Sequence, residues 1–268
     1  MIINHNLNAM NAHRNMSFNN IAQGKSSEKL SSGYRINRAA DDAAGLSISE
    51  KMRTQIRGLN QAAANAQDGV SLVQTAEGAM NEVSDMLTRM KELSVKASNG
   101  TYNTSDLKAM DEEFQALGNA IDDIANKTTF NGITMLNQST AISIQIGNNA
   151  GDSVAVTTQN ITKTGLGLAG GVTTSGAANA ALKNIDDAIG KVNTARSEFG
   201  AVQNRLEHVF NNLSTTSENL QAAESRIRDT DMAKEMMNYT KLNILQQASN
   251  SMLAQANQAP QGVLQLLR

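Results

Sequence analysis

Two arginines and two aspartates cluster within residues 28–52, in the stretch EKLSSGYRINRAADDAAGLSISEKM. Carboxylates beside arginines can serve as acid–base groups, so the first candidates for chemistry are Arg35, Arg38, Asp41 and Asp42. Adjacent residues point in different directions on any regular element, however, and the two aspartates therefore do not form a facing pair. The cluster does not predict an active site.

The same stretch is better explained as a break between two helices. Gly33 follows two serines at the end of the first helical pattern and is expected to interrupt it. Either Asp42, or Ser47 with Glu50 three positions later, can cap the helix that follows, where acidic groups also meet its positive end. The sequence leaves both caps open and predicts a joint here.

No other residues predict catalysis, a cofactor or a metal site. The three histidines are scattered, no H-E-x-x-H pattern occurs, and the glycine-rich GLGLAGG has neither a strand before it nor a helix opening on it. Without cysteine the chain can form neither a disulfide nor a thiolate metal site. An enzyme is therefore not expected.

Composition favours closely packed helices. Of 268 residues only 3% are aromatic and one is proline, whereas 13 are methionine, and slim side chains suit helices lying side by side. The 23 basic and 25 acidic residues are interspersed, which argues against a nucleic-acid partner. No stretch approaches the ~20 apolar residues of a membrane span, and no secretory signal is recognisable, so these features alone would predict a cytoplasmic protein.

Heptad-like spacing in two distant blocks, residues 52–90 and 182–227, predicts long helices that face partner helices. The helix around the first block would be about 80 Å long. A shorter block at 107–124 follows a short loop, so the three blocks predict an antiparallel bundle. Residues 141–158 alternate apolar and polar about a turn-rich GNNAGD and predict a β-hairpin packed on the bundle. The glycine- and threonine-rich segment after it reads as an irregular connector.

Five glycines fall inside the predicted long helices: Gly58, Gly69, Gly78, Gly190 and Gly200. Each costs a helix roughly 1 kcal/mol relative to alanine. Either another backbone approaches closely at these positions, or the glycines merely soften the helices. The sequence does not decide between the two.

Both ends of the chain are amphipathic but only sparsely apolar, over residues 3–30 and 232–267. Neither segment is expected to stay helical alone in water. We expect them to become helical when a partner, or the other end of the chain, covers their apolar faces.

The sequence resembles the bacterial flagellins, the subunits of the flagellar filament. The strings that carry the resemblance are INHNLNAMNA at 3–12, EKLSSGYRINRAADDAAGLSISEKMR at 28–53, NAQDGVSLVQTAEGAMNEV at 65–83, TTFNG at 128–132, ESRIRDTDMAKEM at 224–236 and QANQAPQGVLQLLR at 255–268. They cover both ends and most of the interior, and they are specific to this family.

The resemblance implies a mainly α fold: a long antiparallel helical bundle or coiled-coil rod with one β-hairpin, plus a terminal two-helix coiled coil. The chain would be a minimal flagellin without large variable outer domains. The expected divisions are 1–33 and 232–268 for the inner helical domain, 34–46 for the joint, 47–176 for the N-terminal part of the rod with its hairpin at 141–158, 177–224 for the C-terminal rod helix, and 225–231 for the return joint.

The resemblance also implies a structural subunit that polymerises with itself into the filament that drives motility. Expected partners are an export chaperone at about 232–268, the filament cap and hook–filament junction proteins, and a host innate immune receptor, but neither nucleic acid nor a membrane. Flagellins leave the cell unfolded through flagellar type III export without a cleaved signal, so the expected location changes to the extracellular flagellum. The alternatives are a soluble coiled-coil scaffold or signalling protein with protected ends, and a secreted enzyme, which the missing zinc motif and short connector disfavour.

Particular residues take roles from the resemblance. Arg89, Leu93 and Glu113 would contact the surface innate receptor. Three C-terminal leucines would serve inner-domain assembly and match those of flagellins sensed in the cytosol: Leu264, Leu266 and Leu267.

Gly33, Arg35, Arg38, Asp41 and Asp42 would form the joint and its interface. Their charges are expected to pair with neighbouring subunits or with the return joint, which carries the same charge types. The joint and the hairpin are the candidates for a bistable element that lets a filament supercoil.

Overall fold

The computed structural model describes residues 6–266, and the side chains of residues 6–258. Helices dominate the described part of the chain, with two short antiparallel strand pairs between them. The elements are α1 (Leu7–Ser32), α2 (Ala43–Ser98), α3 (Thr104–Lys127), β1 (Thr129–Phe130), β2 (Ile133–Thr134), β3 (Ala141–Gln145), β4 (Ser153–Thr157), α4 (Lys163–Leu166), α5 (Ser175–Arg228) and α6 (Met232–Leu266). The predicted mainly helical fold is confirmed.

Contacts divide the chain into two compact units. The first unit comprises Met1–Thr54 and Asn219–Arg268, and the second unit comprises Gln55–Glu218. Both division points fall inside long helices, α2 and α5, so the chain enters and leaves the second unit through continuous helix.

The segments that link the helices are shorter than the sequence predicted. The joint was expected over 34–46, but α2 already begins at Ala43. The return joint was expected over 225–231, but α5 continues to Arg228 because its backbone hydrogen bonds persist up to the Asp229 N–H. No residue forces α2 to begin after position 46 or α5 to end before position 225. Capping contacts set these two helix ends instead.

The second unit is built around the antiparallel helices α2 and α5. Late residues of α2 meet early residues of α5, as in the 2.6 Å pair of Lys91 with Asp186, and early residues meet late ones, as in the 2.7 Å bond from Ser217 to Asn60. The seam, with α3 added, buries a continuous apolar core of which the largest fully buried members are Phe199, Met80, Leu87, Met90, Ile121 and Ile185. The seam methionines Met80 and Met90 are core residues.

The predicted hairpin is present as β3 and β4, with Ala141 opposite Thr157 and Gln145 opposite Ser153. The sequence analysis did not predict the pair β1–β2, whose turn places Asn131 at φ 49° and Gly132 at φ 79°. An Asn-Gly dipeptide is the usual signal for such a turn. It was available in TTFNG but flanked by strands too short to show a period.

The first unit contains the antiparallel helix pair α1 and α6. Hydrogen bonds join them along their length: Asn6 donates to the Ala256 carbonyl at 2.7 Å, and Asn19 donates to Ser249 at 3.3 Å. Ser26 is the one buried side chain of α1 in the described residues. The two ends of the chain therefore do cover each other, but only in part.

No helix within the described residues is long and apolar enough to cross a membrane.

Candidate functional site

Large apolar side chains are exposed mainly on α1 and α6. Among the side chains of residues 6–258, ten of the thirteen exposed large apolar residues belong to these two helices. They are Leu7, Met10, Phe18 and Ile21 on α1, and Met232, Met236, Met237, Ile244, Leu245 and Met252 on α6. We call this set the apolar face.

The α1 part of the apolar face is a single stripe. Leu7, Met10, Phe18 and Ile21 follow the spacing of one helix side, and Phe18 is 63% exposed. Residue Asn19, which bonds to α6, points about 100° away from Phe18 at 3.6 residues per turn. The stripe is therefore separate from the side of α1 that α6 covers.

The α6 part of the apolar face is equally uncovered. Met237 is 68% exposed, and residues 232–258 include no buried side chain. Burying one such side chain is worth about 1.5–3 kcal/mol. The contacts between α1 and α6 therefore leave large apolar side chains of both helices exposed to solvent in the described residues.

Backbone contacts tie the joint to the return joint within the first unit. Gly33 ends α1 at φ 75°, a conformation that glycine adopts without strain. Its carbonyl accepts from the Thr230 N–H at 2.9 Å, and the Arg35 N–H donates to the Arg228 carbonyl at 2.7 Å. Tyr34 and Asp229 form an isolated antiparallel bridge between these two bonds. The two chain segments thus form a short two-stranded clasp.

Arg228 is the side chain that joins three parts of this clasp. Its guanidinium bonds to the Glu50 carboxylate on α2 at 2.5 Å and lies 4.9 Å from the centre of the Tyr34 ring. The Arg228 side chain is only 12% exposed, and stacking on an aromatic ring suits the flat guanidinium. The charges of the return joint at 225–231 did not single out Arg228, and Glu50 was expected only as part of a possible cap with Ser47.

Of the five predicted joint residues, two meet the return joint. Gly33 does so through its carbonyl, and the Arg35 guanidinium donates to the Ile227 carbonyl at 2.5 Å. Arg38 instead bonds to Glu28 at 3.0 Å within its own segment. Arg38 does not pair with the return joint in the described residues, and its alternative pairing with a neighbouring subunit stays a prediction.

The two aspartates bond to the backbone of the joint itself and not to the return joint in the described residues, and their alternative pairing with neighbouring subunits stays a prediction. Asp41 accepts from the backbone N–H groups of Arg38 at 3.0 Å and Asn37 at 3.2 Å. Asp42 accepts from the Gly45 N–H at 2.9 Å and caps α2, which decides between the two caps that the sequence left open. The two adjacent aspartates point in different directions and therefore bond to different backbone groups.

Hydrogen bonds lower the pKa of two carboxyl groups here. The bond from Arg228 holds the pKa of Glu50 below its usual value, and the Arg38 N–H, followed by that of Asn37, does the same for Asp41. Both groups stay ionised near neutral pH, because bonds to the charged form favour it. The geometry offers structural contacts. The side chains described include no cluster of three or more His, Asp and Glu residues that could hold a metal ion.

Comparison with known proteins identifies the family. Residues 3–141 match the family model described as the bacterial flagellin N-terminal helical region, and residues 182–267 match the bacterial flagellin C-terminal helical region. The chain belongs to the bacterial flagellin family. It is a structural subunit of the flagellar filament that assembles with copies of itself, and it is not an enzyme.

Curated flagellins are similar over the whole chain. The flagellin of Halalkalibacterium halodurans is 54% identical over 275 residues, and that of Bacillus subtilis is 50% identical over 305 residues, each with 100% of both chains covered. This agreement along the full length is not expected of an unrelated coiled-coil scaffold, and that alternative is set aside.

Solved structures support the fold. The crystal structure of Bacillus cereus flagellin has a TM-score of 0.52 and 34% identity, and covers 60% of this chain and 94% of that chain. A putative flagellar hook-associated protein from Vibrio parahaemolyticus has a TM-score of 0.60 at 14% identity, over 70% of this chain and 100% of that one, and so shares the fold alone.

The residues that the flagellin resemblance assigned to a surface receptor lie in the second unit. Arg89 pairs with Glu113 of α3 at 2.9 Å and with Glu92 at 3.0 Å, which raises the pKa of Arg89, Glu92 contributing most. Leu93 is 4% exposed and belongs to the apolar core. The structure brings two of the three together at the surface and places the third beneath them.

The C-terminal leucines lie at or beyond the edge of what the structure describes. Leu264 and Leu266 fall within α6, but their side chains are outside the described set, and Leu267 is outside the described residues altogether.

Proposed function

We propose that the first unit is the inner domain of the flagellin subunit and that assembly buries its apolar face between copies of this chain. The observation that carries the proposal is the concentration of exposed large apolar side chains on α1 and α6. Large exposed apolar side chains concentrated on two helices are typical of an interaction site. The second unit, with its own buried core, is the outer rod.

Assembly by such a face builds an open helical polymer when unlike surfaces of successive copies meet without closing a ring. The experiment is to add purified full chain to short filament fragments and follow growth by electron microscopy. A chain lacking residues 262–268, the segment GVLQLLR, is the matched test of the leucine cluster. We expect the full chain to elongate the seeds and the shortened chain to stay monomeric with its second unit folded by circular dichroism. Elongation by the shortened chain would remove these leucines from assembly.

The export route and the chaperone follow from the same features. The C-terminal region 232–268 carries six of the exposed apolar side chains, so a chaperone that covers it before assembly would prevent premature self-association. Weakly shielded ends also suit passage of the unfolded chain through the flagellar type III export system, without a cleaved signal, to the extracellular filament. The filament cap and the hook–filament junction proteins would meet this same face at the two filament ends.

Host innate recognition is a further proposal for the second unit. Arg89 and Glu113 form an exposed ion pair across α2 and α3, and a receptor would read this pair together with its neighbours. Leu93 would act from below, by fixing the packing of the two helices. Charge reversal at Glu113 is expected to weaken receptor activation more than substitution of the exposed Glu112, which forms no ion pair within 4 Å in the described residues.

The joint and the hairpin remain the proposed bistable elements of the filament. The clasp of Tyr34 with Asp229 and the contacts of Arg228 give the joint a defined arrangement. A second arrangement of the same contacts would change the packing of a subunit in one step, as discrete switching requires.

A further inference from the structure

Among the described residues, the exposed methionines and the buried methionines lie in different units, whereas Met16, Met52 and Met86 are half-buried. In the first unit, five are exposed: Met10, Met232, Met236, Met237 and Met252. In the second unit, four are buried: Met80, Met90, Met110 and Met135. All five exposed methionines belong to the apolar face. The chain therefore presents its thioethers where copies would meet.

Exposure decides which thioethers an oxidant can reach. A two-electron oxidant such as hydrogen peroxide transfers one oxygen atom to sulfur: the S–O bond forms, the O–O bond breaks, the sulfur is oxidised and the peroxide leaves as water. Buried methionines of the second unit are shielded from this reaction by their core neighbours. In the unassembled subunit the reaction is directed to the apolar face.

A sulfoxide on the apolar face opposes assembly. It replaces a flexible apolar group by a polar one, and a polar group buried without a hydrogen-bond donor is costly. Phe18 and Ile21, which share the α1 stripe with Met10, offer no donor. Oxidation thus leaves the monomer folded and makes its burial between copies unfavourable.

We propose that the five exposed methionines form an oxidation site that controls polymerisation. Oxidised subunits are excluded from the filament, whereas subunits already assembled are protected because their methionines are covered. The inference rests on the proposed function, since it requires that assembly buries the apolar face. The inference adds sensitivity to oxidation, which the role of the apolar face in assembly does not by itself require.

The first test uses the full chain with hydrogen peroxide. Peptide mass mapping of treated monomer should place sulfoxides at the five exposed methionines and spare Met80 and Met90. The critical concentration for seeded growth should rise about tenfold or more for each sulfoxide buried without a donor. Treatment with methionine sulfoxide reductases of both epimer specificities should restore growth. Unchanged growth of fully oxidised monomer, or failure of reductase to restore it, would overturn the inference.

The second test uses matched variants. A chain with M10L, M232L, M236L, M237L and M252L keeps apolar volume, since leucine replaces methionine at small cost. Relative to its own growth before treatment, it should lose much less growth after peroxide than the natural chain loses, because only the half-buried Met16, Met52 and Met86 remain partly accessible. The control M80L/M90L should stay as sensitive as the natural chain. If the fivefold variant loses as large a share of its growth as the natural chain does, the five methionines are not the site. If it fails to grow untreated, the reductase test on the natural chain decides.

Different results would contradict the proposed assembly function and the proposed oxidation site. If the untreated natural chain does not grow on seeds, the proposed function fails. If it grows but peroxide has no effect despite sulfoxides at the mapped positions, only the oxidation site fails.

Discussion

At the scale of single residues, Arg228 organises the joint. Its guanidinium bonds to the Glu50 carboxylate and stacks on the Tyr34 ring. The preceding residue, Ile227, accepts a hydrogen bond from the Arg35 side chain through its carbonyl. The partners of Arg228 cannot be predicted from charge type alone, because the sequence contains several arginines and acidic residues at similar spacing. Arg38 and the aspartates proved to serve local backbone and helix ends instead.

The bond from Arg228 predicts the titration of Glu50. Its pKa is lowered in the folded chain, so the stability that the carboxylate contributes is present above its unfolded pKa and is lost as pH falls through the folded pKa. In the variant R228Q, the Glu50 pKa should rise toward its ordinary value, because Arg228 is the largest cause of the shift. A carbon-detected NMR titration of the glutamate side chains measures this directly.

The control for this titration is R53Q. Arg53 also lies near Glu50, at 3.4 Å, but contributes less to the shift than Arg228 does, so its removal should change the pKa less. An equal effect of both variants would mean that general positive charge, rather than the clasp, holds Glu50 ionised.

At the scale of elements, the periodic parts of the fold were predictable and the end points were not. Heptad spacing located α2, α3 and α5 because burial of a seam repeats along the chain, and alternation located β3–β4 for the same reason. The limits of the joints depended on one-off contacts such as the Asp42 cap. The inner helices could be placed by resemblance, but their exposed stripes became visible only once the mutual contact of α1 and α6 was known.

The glycines of α2 separate by what surrounds them. A Cβ on Gly69 would lie 2.5 Å from Ile144 of the hairpin and 3.1 Å from Leu206, and one on Gly58 would overlap the Asn148 side chain. Nothing lies within 4 Å of the corresponding position on Gly78. Side chains, rather than the backbone that the sequence suggested, therefore approach closely at Gly58 and Gly69, and nothing lies within 4 Å at Gly78, Gly190 or Gly200.

Alanine at these sites should have opposite effects. G78A should stabilise the monomer by up to about 1 kcal/mol through helix propensity. G69A should destabilise it, because overpacking costs about 1–3 kcal/mol and exceeds that gain. Urea unfolding of the two monomers compares them, and a G69A chain as stable as G78A would show that the hairpin is not closely packed on α2.

The stripe on α1 gives a prediction for assembly. F18S removes an exposed apolar side chain, so the monomer should keep its helix content while the critical concentration for seeded growth rises about tenfold or more. N20S is the control, since Asn20 is also exposed but lies about 200° around the helix. Sedimentation of filaments after seeding gives both values. Equal growth of the two variants would place the interface elsewhere.

At the scale of the whole molecule, the two units differ in how complete they are. The second unit buries a continuous core, whereas Ser26 is the one buried side chain among the described residues of α1 and α6. The second unit thus has its own buried core, whereas we expect the apolar side chains of the first unit to be buried by other copies of the chain. That division accounts for a chain that assembles with copies of itself into a filament.

Limited proteolysis of monomer and filament tests this division most directly. In the monomer, we expect rapid loss of about forty residues from each end and a resistant fragment containing the second unit, because weakly shielded helices open readily to proteases. In filaments grown from the same chain, both ends should resist cleavage. Ends that resist cleavage in the monomer, or that remain cleavable in the filament, would contradict the account.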